Sequence, residues 1–193
     1  MARAGLTADL LTEAAADLAD EVGFGDITIS ALARRFGVRD ASLYSHVRNV
    51  QDLRTRVAVL AARDFAARIG AAIAGRAGRE ALTAFAHAYR EFALEHPGRY
   101  AATQMEVSPE VLAGSPGHRS LVEAPLAMLR AYGLAEPDLT DAVRLLRSAF
   151  HGYVALEAAG AFRHPRPVRS SWERGLDALH VALENWPSSS ASP

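Results

Sequence analysis

Between Thr28 and Leu53 two apolar segments, each of roughly two helical turns, are divided by a single glycine, Gly37. Helices so short do not hold their shape alone, so their register has to come from packing against each other and against a helix before them. The residue types meet that demand. Thr28 is placed to cap the first segment, Leu32 and Phe36 share its inner face, and Val38 and Leu43 supply the opposing face. Ala33 falls where two steeply crossing helices touch and only a small side chain fits, and Gly37 falls where the turn needs positive φ. A bulky residue at either place would separate the pair.

The rest of the chain reads as helix, because no stretch combines β-branched enrichment with strict alternation. The expected fold class is all-α. With 193 residues, of which 50% are hydrophobic, the chain is long enough to bury a substantial core. A first helix is predicted over Ala8 to Val22, with Thr7 as N-cap, Gly23 as its stop and Leu11, Ala15, Leu18 and Val22 on one stripe. A long helix begins near Val50 and carries Leu53, Val57, Ala61, Phe65, Ile69 and Ile73 until Gly75 and Gly78 break it. Another spans Arg79 to Glu95. Arg99 to Gly117 is expected as short helices joined by turns, and Pro125 either opens a helix or kinks one begun at His118. Two long helices, Asp138 to Ala161 and Ser171 to Asn185, finish the fold, and the serine-rich tail 187–193 is expected to be disordered.

Several function classes find no support. No apolar run approaches the ~20 residues of a membrane helix, and Met1 to Asp9 lacks the apolar core of a signal peptide, so a cytoplasmic, membrane-free protein is expected. With no cysteine there is no disulfide, thiolate metal site or cysteine nucleophile. The seven histidines are scattered without metal-ligand spacing. Ala113 to Gly117 has a serine between glycines, but no strand precedes it and proline follows the serine, unlike a nucleophile elbow. Gly23-Phe24-Gly25 lacks the third glycine and the strand of a dinucleotide site. No enzyme, cofactor or metal is therefore expected. Net charge is only −1, yet Arg34, Arg35, Arg39, Arg48, Arg54 and Arg56 crowd into the window that holds Gly37, against Asp40 and Asp52 alone.

Gly37-Val38, then Leu43-Tyr44-Ser45-His46-Val47, then Asp52-Leu53, following a helix that ends at Gly23-Phe24, closely resembles the N-terminal helix-turn-helix domain of the tetracycline-repressor (TetR) family. Phe150-His151-Gly152, with Leu156-Glu157 and Gly160, is similar to a Trp-His-Gly motif of one branch, with Phe in place of Trp. The resemblance implies a DNA-binding domain over 1–53 and an effector-binding and dimerisation domain over 54–186. It implies that Arg39, Asp40 and Ser42 lie closest to base edges in the major groove, and that Thr28, Tyr44, His46 and Arg48 hold phosphates. Hydroxyl, imidazole and guanidinium donors suit that task. Many relatives place lysine where this chain has Val50, which leaves Arg48 or Arg54 to replace a phosphate contact. Asp40 has two readings: it accepts from a cytosine amino group, or it serves a helix start or an internal pair such as one with Arg39.

One small helix-turn-helix buries little DNA, so a homodimer reading inverted-repeat half-sites of double-stranded DNA is expected. Gly152, Ala155 and Ala159 leave low relief on one helix, and Leu176, Leu179 and Leu183 form a stripe on the last. These residues are the expected dimer interface. Phe85, Tyr89, Phe92, Met105, Met128, Phe150 and Tyr153 supply apolar surface for a small-molecule effector or for ordinary core packing. Glu157, one turn from Tyr153, is expected to need a partner such as His151 or Arg147. The whole reads as a repressor released by its effector. The alternative is a helical, cofactor-free enzyme or small-molecule-binding protein with no DNA-binding role.

Overall fold

In the computed structural model, which describes residues 5–187, Thr7 accepts the amide of Leu10 at 3.1 Å and opens α1, Ala8–Val22. Gly23, at φ 99°, closes it. Leu11, Ala15, Ala16, Leu18 and Ala19 form the buried face, whereas Val22 is exposed, contrary to the stripe expected for it. Val22 keeps the angular position of Leu11, so its exposure belongs to its place at the end of the last turn, beside Gly23, and not to drift of the stripe. Thr28 then caps α2, Ile29–Phe36, through the amide of Ala31, and Gly37 ends it in the left-handed conformation at φ 64°.

The segment after Gly37 departs from the expected second helix. Asp40–Ser42 is a 3-10 turn followed by further turns to His46, and not a two-turn α-helix. Its amides bond three residues back, Ser42 to Arg39 and Leu43 to Asp40, each at 2.9 Å. Ser45 hands its hydroxyl to the Ser42 carbonyl at 3.0 Å, the kind of local side-chain bond that competes with regular helix.

Among the described residues the remaining helices are α3 (Val50–Ile73), α4 (Gly78–Glu95), α5 (Pro97–Ala102), α6 (Pro109–Ala113), α7 (Pro116–Leu129), α8 (Asp138–Ala158) and α9 (Val168–Glu184). The architecture is all-α, with no strand in this range. Pro125 lies inside α7, and α9 starts three residues earlier than its periodicity implied. Pro167 sets that start. The tail expected to be disordered falls, after Pro187, outside the described residues.

Contacts divide the chain into two units. The first holds the described residues up to Ala67 together with Glu95–Leu121. Its core is Leu11, Ile27, Leu32, Leu43, Leu53 and Val57, with Ala33 and a set of α1 alanines at the close approaches. α5 lies so near α1 that a Cβ on Gly98 would sit 2.0 Å from the Ala19 carbonyl carbon and oxygen. The contact is pinned by Arg99, whose amide donates to Asp20 at 2.8 Å and whose guanidinium reaches Asp17 at 2.7 Å as well as Asp20. The second unit comprises Arg68–Leu94 and the described residues from Val122 on. Phe85 and Tyr89 of α4, Phe150 and Tyr153 of α8 and Trp172 of α9 stack against one another there, with ring centroids 4.8–6.3 Å apart.

Candidate nucleic-acid interface and effector region

Leu32, Ala33, Leu43 and Val47 turn inward, and this leaves the polar residues of the Thr28–Arg48 window outside. Arg39, Asp40, Ser42, Tyr44 and Arg48 are exposed, Tyr44 by 55%, and His46 is half-buried. Thr28 Oγ1 accepts within its cap, so its own proton remains to be donated outward. At the foot of α3, Asn49 accepts the amide of Asp52 at 2.8 Å, a cap that the sequence pattern did not announce. The remaining first-turn amides of α3 and the helix dipole favour an anion there.

Arg48 is 84% exposed and also reaches the carboxylate of Asp52, which is 9% exposed. Burial pushes the Asp52 pKa up, but the Arg48 amide and guanidinium and the Arg56 charge outweigh it and hold the group below the usual carboxylate range. Asp52 therefore stays ionised and steadies Arg48. Arg54, expected with Arg48 as a phosphate contact, is engaged within the protein. Its guanidinium turns in to donate to the carbonyls of Gly25, at 2.6 Å, and Ile27, at 3.3 Å, and so braces the loop ahead of Thr28. Val50 itself packs against the core. Asp40 pairs with Ser30 of α2, whose hydroxyl donates to Oδ2, rather than with Arg39. Ten residues separate these two, and no local pattern announces the bond.

The expected effector residues lie in two places. Met105 belongs to the first unit, against its aliphatic core and 4.0 Å from the Gln51 amide nitrogen. Phe85, Tyr89, Phe92, Met128, Phe150, Tyr153 and Glu157 belong to the second. Glu157 does have a partner, but it is Arg90 of α4 and not His151 or Arg147. The guanidinium engages both carboxylate oxygens, Nε at 2.7 Å, and this bond raises the Arg90 pKa further. Both side chains are less than one-fifth exposed. Trp172 Nε1 is buried and donates to no group among the described residues, which is rare for an indole. Between α4 and α9 runs a groove of about 720 Å³ floored by Ala84, Ala88 and Leu176 and crossed by Arg79–Asp177 at 2.5 Å and His87–Glu173 at 3.4 Å.

Of the expected dimer residues, Ala155 and Ala159 are exposed and Gly152 half-buried, but Leu176 and Leu183 are buried within the chain and Leu179 half-buried. The leucine stripe of α9 faces its own core. The exposed apolar row is instead Leu145 and Leu156 on α8, in line with Ala149, Gly152 and Ala159, and Val181 on α9. The spacing 145, 149, 152, 156, 159 was available in the sequence as a four-three repeat. Ser115 and His118 share a 2.8 Å hydrogen bond, but Ser115 is buried and its oxygen also accepts the His118 amide, so the pair is the start of α7. No group of three or more metal-ligating side chains occurs among the described residues, and no helix there is long and apolar enough to cross a membrane.

A helix, a tight glycine turn and a short polar segment set on an aliphatic core define a helix-turn-helix DNA-binding regulator. Residues 82–179 match the family described as tetracyclin repressor-like, C-terminal domain. The chain is 31% identical over 169 residues to the HTH-type transcriptional regulator YobS of Bacillus subtilis, spanning 88% of each. It is 37% identical over 161 residues to an HTH-type transcriptional regulator of Mycobacterium tuberculosis, spanning 81% of this chain and 72% of that one. Its fold is similar to BioQ bound to its natural double-stranded DNA operator, with a TM-score of 0.66 and 23% identity over 94% of this chain and 99% of that one. The protein belongs to the tetracycline-repressor family of transcriptional regulators.

Proposed function

We propose that the protein is a cytoplasmic homodimeric repressor that reads inverted-repeat half-sites through Arg39 and Ser42, holds phosphates through Thr28, Tyr44, His46 and Arg48, and is released by a small-molecule effector. It acts by binding and not by catalysis. The observation that carries the reading is the two-sided window of Thr28 to Arg48: its apolar residues are buried, while its hydroxyl, phenol, imidazole and guanidinium groups face outward. The exposed Leu145, Leu156 and Ala159, in line with the half-buried Gly152, support pairing with a second copy, since a contiguous apolar row on a helix face marks a contact site. The Trp172 N–H, which has no partner among the described residues, and the Arg90–Glu157 pair support an effector site in the second unit, where a ligand acceptor would satisfy the indole. Effector release requires only unequal affinity for two arrangements of the dimer.

Selection from random duplexes, followed by mobility shift at increasing salt, tests the reading. A palindromic or near-palindromic site bound with steep salt dependence is expected. Recovery of no sequence at all would remove the regulator reading in favour of a small-molecule-binding protein. Leu156→Glu is expected to yield monomers by sedimentation and to abolish binding to the two-half-site duplex.

A further inference from the structure

The stretch Arg39–Val47 has little support of its own. Its turn is held by bonds three residues back, and its only buried side chains, Leu43 and Val47, come after the residues expected to meet the bases. Arg39 to Ser42 are all exposed. One tertiary bond nevertheless reaches into them, from the Ser30 hydroxyl of α2 to Asp40 Oδ2. Its donor stands on firm ground, because α2 is itself anchored by Ile29, Leu32 and Ala33 in the core.

We propose that Ser30 is a positioning residue for sequence readout: by holding Asp40 it fixes the turn that aims Arg39 and Ser42, and Asp40 is an anchor rather than a reader of bases. This rests on the DNA-binding reading above. A carboxylate at this place is repelled by phosphates, and a donor on α2 engages one of its oxygens. The bond therefore does two things at once, since it ties the turn to α2 and gives its one negative charge a partner within the protein.

The two roles for Asp40 predict different substitutions. An anchor needs only an acceptor, so Asp40→Asn should keep the wild-type base profile in a random-duplex selection. A reader of cytosine would instead shift toward adenine, whose edge matches an amide. Ser30→Ala should weaken binding to the selected site by about tenfold, flatten the preference at the base pairs met by Arg39 and Ser42, and leave the slope of log Kd against log salt unchanged. Ser30→Thr, which keeps the hydroxyl, should restore the profile. Ser30→Ala combined with Asp40→Ala should bind no worse than Asp40→Ala alone, as two ends of one interaction do. The proposal is overturned if Ser30→Ala retains the wild-type profile, if Asp40→Asn changes the preferred base, or if the salt slope falls by roughly the 0.9 of a lost phosphate contact. A wild-type chain that selects no duplex would overturn the DNA-binding reading itself, and this is a separate outcome.

Discussion

The cluster around Thr28–Arg48 is aliphatic and rich in alanine, with a ring pair, Phe65–Tyr100, elsewhere in its unit, whereas α4, α8 and α9 pack five rings against one another among their leucines. Small side chains let backbones approach closely, and close backbones leave no slack. A reading surface made of one eight-residue helix and a 3-10 turn needs that stiffness, because a small misplacement of Arg39 or Ser42 would cost base contacts. Large rings bury much area each and carry a polar handle, here the Trp172 N–H, which has no partner among the described residues, with the Arg90–Glu157 pair in the same unit. Both units bury an ion pair, Arg99–Asp20 in the first and Arg90–Glu157 in the second, but the first sets its helices at alanine and glycine contacts and the second at stacked rings.

The sharpest way to break this contrast is at Gly98. Any side chain there meets the α1 backbone at Ala19, which has no flexible end to swing away. Gly98→Val is expected to destabilise the protein by more than ~3 kcal/mol, at or beyond the upper end for overpacking, as read by chemical denaturation. Gly152→Ala, where nothing lies within 4 Å of the added carbon, should leave the fold intact and serves as the contrast.

Next in size is the buried ion pair of the second unit. Arg90→Ala leaves the Glu157 carboxylate without its partner and should cost about 2–4 kcal/mol, somewhat below a fully buried pair because both groups keep some exposure. Replacing both together by methionine should recover most of that loss, since the penalty lies in the orphaned charge. If the single and double variants unfold alike, the pair is not what stabilises this region.

A smaller effect is expected at Thr28, where structure and binding meet in one hydroxyl. Thr28→Ala removes the α2 cap and should cost about 1 kcal/mol, or roughly 2–4 °C in Tm for a chain of this size. It should also weaken operator binding with the salt slope unchanged, because a neutral hydroxyl displaces no counterion. Thr28→Ser keeps both functions and should restore both readouts.

The same positions differ in how legible they are from sequence alone. Thr7, Thr28, Gly23 and Gly37 act within three or four residues of themselves, so α1, α2 and the turn are legible locally. Leu32, Ala33 and Leu43 are legible as a set because one short window must make its own contact. Ser30–Asp40 spans 10 residues and Arg90–Glu157 spans 67, and such pairings leave no periodic trace. The α9 leucines show the third kind of limit. Their spacing correctly reports an apolar face but not whether that face meets its own chain or another, and Leu176 and Leu183 meet their own. The 3-10 turn at Asp40–Ser42 escapes the pattern for a related reason, since two buried side chains are too few to impose regular helix on Ser42 and Ser45.

The least effect, and the most specific to conditions, is expected at His118. Burial lowers its pKa below the ordinary histidine value, with Ser115 as its close partner at the start of α7. The neutral ring is the form the fold prefers, so its contribution to stability is complete above the unfolded pKa of about 6.5 and is lost as pH falls from there through the lower folded value. Denaturation midpoints of the wild type should accordingly decline below about pH 6.5 more steeply than those of His118→Gln, which has no proton to take up there. The variant should be less stable at neutral pH yet flatter on acidification. Coincident acid profiles for the two proteins would place the acid sensitivity elsewhere, in carboxylates such as Asp52 whose lowered pKa makes them lose stability only at a lower pH.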